Sequence, residues 1–285
     1  MSKRTVAILV WIALASLGVG VVLFPHAADW FALRSQAGTV ARHSQDLASA
    51  SAADLDHLVS AAEEYNRQLA AGLRGFTNHH HPEYLSHLRV GETDLMATVT
   101  IPSLDLTVPV HHGTTDDVLY RGAGHQYGTS LPIGGPDTHA VITAHSGLMR
   151  ARLFTHLGNL QVGEAFFVST LGRHAWYQVD QIATVLPGDY HAYLAVVPGQ
   201  DLVTLFTCTP VGVNSHRLLV RGHRIEAPAG GELFASEHTL AAGFPWWSLV
   251  MVGTMTIAGG TGKMLFAPPQ RRPAHRIESR GPRHA

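Results

Sequence analysis

The chain opens on an uncharged run, Val6 to Phe24 within "TVAILVWIALASLGVGVVLFP", preceded by Lys3 and Arg4. Those 19 residues make roughly 29 Å of helix, enough to span a bilayer's hydrocarbon. The run is longer than a signal-peptide core and no A-x-A cleavage site follows it before Trp30. Residues 1–25 therefore read as a retained membrane anchor. A second apolar stretch, "FPWWSLVMVGTMTIAGGTG", places Trp246 and Trp247 at its start, where an interfacial belt would put them. It reads as a transmembrane helix over residues 244–263. Lys263, Arg271, Arg272, Arg276, Arg280 and Arg283 follow. The positive-inside rule then assigns the basic tail, 264–285, and the N-terminus to the cytosol, and leaves residues ~26–240 outside.

Composition agrees with an anchored, exported chain. Charged residues make up 14%, against ~25% in an average soluble protein. The formal charge of −1 lacks the basic surplus of a nucleic-acid binder, so no nucleic-acid partner is expected. The 20 histidines are scattered, and "NHHHPEY" has three in a row, unlike the spaced ligands of a metal site. No metal is expected.

The exported part divides in two. Residues 26–95 hold a helical segment and a connecting loop. Helix is expected from Trp30 to Leu73, because Leu55, Leu58, Val59, Ala62, Tyr65 and Leu69 recur at helical spacing. From about Met96 the pattern becomes short and β-branched: "MATVTIPSLDLTVPVHHG", "HAVITAHSG", "EAFFVSTLG", "AWYQVDQIATVLP", "LVTLFTCTP", "RLLVRGHRIE". Residues 96–227 thus form a mainly β domain, a sandwich or small closed barrel. Residues 228–243 read as a linker.

The one cysteine, Cys208, ends the strand-like "LVTLFTC" just before the turn "TPVGVN". A lone cysteine excludes an intramolecular disulfide and raises the question of a reactive thiol. Thiolate is the nucleophile, so the residue needs a base or a positive neighbour. His145, at the end of "AVITAHSGL", is the best-placed histidine. His216, His111, His112, His125 and His139 remain open alternatives on spacing alone. Arg217 opens the strand "RLLVRG" and shares a strand face with Arg221. Either guanidinium would supply charge to a thiolate and donors to an oxyanion.

"TLFTCTPVGVNSHRLLVRG", Thr204 to Gly222, closely resembles the TLxTC segment and the following strand of sortases, and of the pilus-polymerising class C most. "GTSLPIGGPDTHAVITAHSGL" and "IPSLDLTVPVHHGT" are similar to that class's histidine motif and first strand pair. The likeness covers about Met96 to Ile225. It implies an eight-stranded β-barrel with short helices, a helical N-terminal segment and two transmembrane helices. It implies Cys208 as nucleophile, His145 as acid/base and Arg217 as oxyanion support, with Thr207 and Thr209 helping to hold substrate and oxyanion. It also implies pilin or surface-protein partners with LPxTG-like signals, cleaved between Thr and Gly and joined to a lysine amine. The resemblance places the enzyme in the plasma membrane of a Gram-positive bacterium. Single-protein wall anchoring and a non-catalytic pilin scaffold are the competing readings. The class's Asp-Pro-aromatic lid is missing here. His81-Pro82 with Tyr84 is its nearest analogue, a possible lid over Cys208.

Overall fold

The computed structural model describes residues 2–73 and 80–267. Two compact units emerge among the described residues, one of residues 2–24 with 245–267, the other of residues 25–73 with 80–244. The first helix, α1 (Lys3–Ser49), has residues in both and carries Pro25, whose missing N–H interrupts the helical ladder.

In the first unit, the start of α1 pairs with α6 (Trp246–Leu265). Gly262 lets them approach: a Cβ there would lie 3.3 Å from both Ile8 and Trp11, the small-residue contact typical of helices in lipid. The Trp11 indole donates to Thr261 Oγ1 at 3.1 Å. Leu14, Leu17, Val21 and Val22 stay exposed, as side chains meant for lipid would be. Among the described residues only α1 is long and apolar enough by itself to cross a membrane. The segment expected as a second span is helical, but its glycines, threonines and Lys263 leave it less apolar.

The second unit is built on a closed barrel. Its strands are β1 (Leu95–Ile101), β2 (Leu106–His112), β3 (Ala123–His125), β4 (Thr138–Thr143), β5 (Ala165–Thr170), β6 (Arg173–Val185), β7 (Asp201–Thr209) and β8 (His216–Ile225). They close in the order β1-β2-β3-β4-β7-β8-β6-β5. The β2–β3 and β4–β7 pairs are parallel and the other pairs antiparallel. The eight-stranded mainly β barrel is the architecture the sequence implied. Alternation along each strand fills the interior with side chains such as Ile142, Val203, Leu205 and Val220. The three-residue β3 was not legible as a strand, because "AGH" has neither length nor β-branching.

The helical segment is two helices rather than one. α1 ends at Ser49, and α2 (Ala52–Ala70) starts afresh on Ser51, whose Oγ accepts from Asp54 N at 3.1 Å. The inward face of α2 buries Val59, Ala62 and Tyr65. Asn66 completes its attachment: its amide donates to Leu131 O (3.1 Å) and accepts from Leu131 N (2.7 Å), satisfying a buried peptide as a strand would. Pro82–Ser86 form α3 and Asp116–Arg121 form α4. The expected linker 228–243 is not featureless. It contains α5 (Gly231–Glu237), whose Ala235 packs with Phe167 and Trp176 on the outside of the barrel.

Replacing Asn66 with Ala leaves the buried Leu131 N–H without its partner, a loss of about 1–3 kcal/mol, while Leu131 O keeps the Ile133 N–H at 2.8 Å. Full-length N66A should therefore melt several degrees below wild type in a thermal scan, with the barrel's circular-dichroism signature kept at low temperature.

Candidate active site

The site follows from one register. β4 and β7 run parallel, with Ile142 opposite Leu205 and Thr143 opposite Phe206. The ladder continues past the end of β4 through Ala144 N to Phe206 O at 3.1 Å. His145 therefore leaves β4 at the level of Cys208, the last residue but one of β7. On the other side, antiparallel β8 sets Arg217 directly opposite Cys208, and His216 opposite Thr209. Side chains of such a pair stand about 5 Å apart at Cβ. Three residues distant in sequence thus meet on three adjacent strand ends at one rim.

They also share a face. Ile142, Val203, Leu205, Leu218 and Val220 belong to the hydrophobic core. By the two-residue period, Cys208 and Arg217 point to the outer surface of the wall. Cys208 is partly buried. Arg217 Nη1 donates to the carbonyls of Asn214 (3.0 Å) and His216 (3.1 Å). Arg221, on the same face, is taken by Asp180 in a two-point pair at 2.9 and 3.0 Å. That leaves Arg217 as the guanidinium beside the thiol.

Thr207 points the other way. It is buried, and its hydroxyl donates to Ala144 O at 2.7 Å. The side chain expected to hold substrate is instead tied to the residue before His145. Ser146, just after His145, donates to Cys208 O at 2.5 Å. These two bonds cross-link the β4 exit to the β7 end on both sides of the histidine. Thr209 is the last residue of β7, at the rim.

The structure separates the candidate histidines. His111 Nδ1 meets Asp94 at 2.9 Å, and Arg121 closes on the same carboxylate at 2.7 Å. Bonding to His111 and Arg121 holds the Asp94 carboxyl well below the ordinary range. His112 lies between the carbonyls of His87 and Asp94. His139 Nδ1 donates to Ala195 O at 2.8 Å, and its Nε2 faces Thr204 Oγ1 at 2.7 Å. His125 Nε2 donates to Ser130 O at 2.8 Å, leaving Nδ1 to accept from Tyr84. All but His145 and His216 are thus held in the wall, away from the rim.

Tyr84 is not a lid. It is fully buried, with its hydroxyl accepting from Gly113 N at 2.8 Å and facing His125 Nδ1 at 3.0 Å. Its ring stacks on His125. His125 pairs with Ile142, below the rim, so a ring fixed there cannot cover Cys208. His81 and Pro82 begin the short helix that carries Tyr84. The rest of the expected lid stretch, residues 74–79, lies outside the described residues, as does the basic tail from 268 on. The aromatic ring that does lie against His145 is Tyr120, on α4, at 5.5 Å between centroids. Nothing in "DDVLYRG" signalled this, because α4 reaches the rim only through the β2–β3 crossover.

A family model described as the sortase domain matches residues 99–225. Sortase C1 of pilus island 1 of GBS, group B Streptococcus, is 39% identical, with 66% of this chain covering 91% of that one at a TM-score of 0.61. The chain belongs to the sortase family. A Clostridium perfringens sortase C, solved with the C-terminal cell wall sorting motif, is 34% identical, with 66% of this sortase covering 98% of that chain at a TM-score of 0.60. Sortase SrtE1 of Streptomyces coelicolor is 30% identical over 144 residues, 46% of this chain. The match spans only 40% of that longer relative.

The buried histidines set an acid limit on stability. Burial lowers the pKa of His43, His112 and His139, and that of His125 to about 4. Each holds a proton more weakly folded than unfolded, so stability rises with pH between about 4 and 6.5 and is complete above it. Asp201, raised by burial, runs the opposite way but is a single group. Melting temperature should fall as pH drops from 6.5 to 4, His125 alone contributing about 3 kcal/mol. H125N should flatten the slope.

Proposed function

We propose that the chain is a membrane-anchored cysteine transpeptidase that processes LPxTG-like sorting signals and polymerises pilins. The observation that carries this reading is the register that sets Cys208 opposite Arg217, with His145 leaving the neighbouring strand at the same level. The two sortase C relatives support it, one from a pilus island and one solved with a sorting motif.

In this reading Cys208 Sγ attacks the Thr carbonyl carbon of the signal. The oxyanion forms beside Arg217 and a backbone N–H near Thr209, donors that need not reorganise as charge develops. His145 gives its proton to the departing glycine nitrogen, because an unprotonated amide nitrogen is a very poor leaving group. The Thr acyl group now sits on Cys208 as a thioester. A lysine amine of the next pilin attacks it. His145 takes that amine's proton, the sulfur leaves as thiolate, and an isopeptide bond remains. No cofactor takes part.

On the outer face the β6–β7 connection packs against β4 and β7, with Ala195 O accepting from His139 and the Tyr190 ring 5.1 Å from that of Phe206. Two spans, with both termini cytosolic and the barrel outside a Gram-positive plasma membrane, would hold the enzyme where exported pilins emerge and raise their effective concentration. Lys3, Arg4 and the Trp246–Trp247 pair support that topology.

Purified full-length enzyme in detergent should cleave a fluorogenic LPxTG peptide. C208A and H145A should each lose at least 10³-fold in kcat/KM and R217A about 10²-fold, in line with removing a nucleophile, a general acid or an oxyanion donor. In cells lacking the gene, wild type but not C208A should restore a high-mass covalent pilin ladder. Monomeric wall-linked protein without a ladder would replace polymerisation by wall anchoring.

A further inference from the structure

The helix that follows the anchor reaches the catalytic rim. In the second unit, Asp29 and Gln36 of α1 lie about two turns apart, so they share one helix face. Each contacts a different element that flanks His145.

Asp29 takes the loop after the histidine. Its carboxylate accepts from Arg152 N at 2.9 Å and from Arg152 Nε at 3.1 Å. The next residue, Leu153, is buried and has φ +35, a left-handed conformation that costs a β-carbon residue about 1 kcal/mol or more. Phe154 N then returns to His145 O at 3.1 Å, and Gly147 N donates to Thr155 Oγ1 at 2.9 Å. The segment from His145 to Thr155 is thus a closed loop, and Asp29 grips it next to its strained residue.

Gln36 takes the other flank. It is only 6% exposed, and its Nε2 donates to Arg121 O at 3.1 Å. A buried amide is tolerated because it is bonded. The residue before Arg121 is Tyr120, whose ring lies against His145 and is otherwise 61% exposed. The Arg121 side chain is also clamped by Asp94. The imidazole therefore stands between a loop held by Asp29 and a ring held through Gln36.

We propose that Asp29 and Gln36 are positioning residues for His145, so that α1 is part of the catalytic apparatus and not only a tether. This rests on the reading of Cys208 and His145 as the reacting pair. A histidine that must move a proton between a thiol sulfur and a peptide nitrogen tolerates little displacement, and an error of 1 Å can cost about 10²-fold. The segment before Gln36 would then be needed for turnover even in a barrel freed from its anchor.

The test uses the full-length enzyme in detergent and three readouts: cleavage of the LPxTG peptide, the pH dependence of Cys208 alkylation by iodoacetamide, and melting temperature. D29A and Q36M should each lower kcat about tenfold with KM within about twofold, and shift the alkylation profile, because the thiol would have lost its oriented imidazole. D29E, which keeps the carboxylate, should recover most of the rate. Unchanged kcat and an unchanged alkylation profile in both variants would overturn the proposal. So would a rate loss that follows melting temperature alone, with no shift in the profile and no recovery in D29E. C208A is the control that separates the two levels: cleavage surviving in C208A would remove the catalytic reading and the brace with it, whereas inert C208A beside fully active D29A and Q36M would remove the brace alone.

Discussion

The parallel ladder between β4 and β7 is the constraint on which the site depends. Parallel neighbours cannot be joined by a hairpin, so the chain must leave β4, build β5 and β6, and return before β7 can pair. That detour lets the histidine segment and the cysteine segment end at the same rim, each with its own loop. Antiparallel β8 then follows β7 through a short turn and delivers Arg217 opposite Cys208. The barrel's closure leaves no free sheet edge. Its interior is filled with side chains, so the chemistry can only occupy the rim and the outer face.

The polar groups around that rim are held by bonds. Thr207 and Ser146 tie the β4 exit to β7 on either side of His145. Asp29 and Gln36 meet the elements flanking the same histidine from α1. A site made of three strand ends needs such ties, because strand ends leave backbone groups unpaired and loops otherwise move. Among the described residues, His112, His125 and His139 serve as buried connectors between the wall and the segments packed on it, bonded to carbonyls and hydroxyls.

Much was legible in the sequence. The strand runs, the helical spacing of α2 and the lone cysteine at a strand end all read correctly, because each depends on local periodicity. The role of Tyr84 did not. "HPEY" looked like a lid because it sits where a lid would be in sequence, but α3 turns the ring into the protein, where Gly113 and His125 bond the hydroxyl. Thr207, expected to help hold substrate, instead faces inward and bonds Ala144 O, a matter of strand parity at the end of β7. Tyr120 and Asp29 carried no signal, since their importance comes from what the crossovers bring near them.

By itself the sequence determined an apolar N-terminal helix, a mainly β domain and the residue types for acyl transfer, because hydropathy, periodicity and the identity of one thiol are local properties. Only the tertiary structure decided that Arg221 is taken by Asp180 while Arg217 stands opposite Cys208, that the Tyr120 ring lies against His145, and that α1 meets the elements flanking that histidine. Those choices depend on the register between strands distant in the chain and on the face each side chain takes, and no local pattern encodes either.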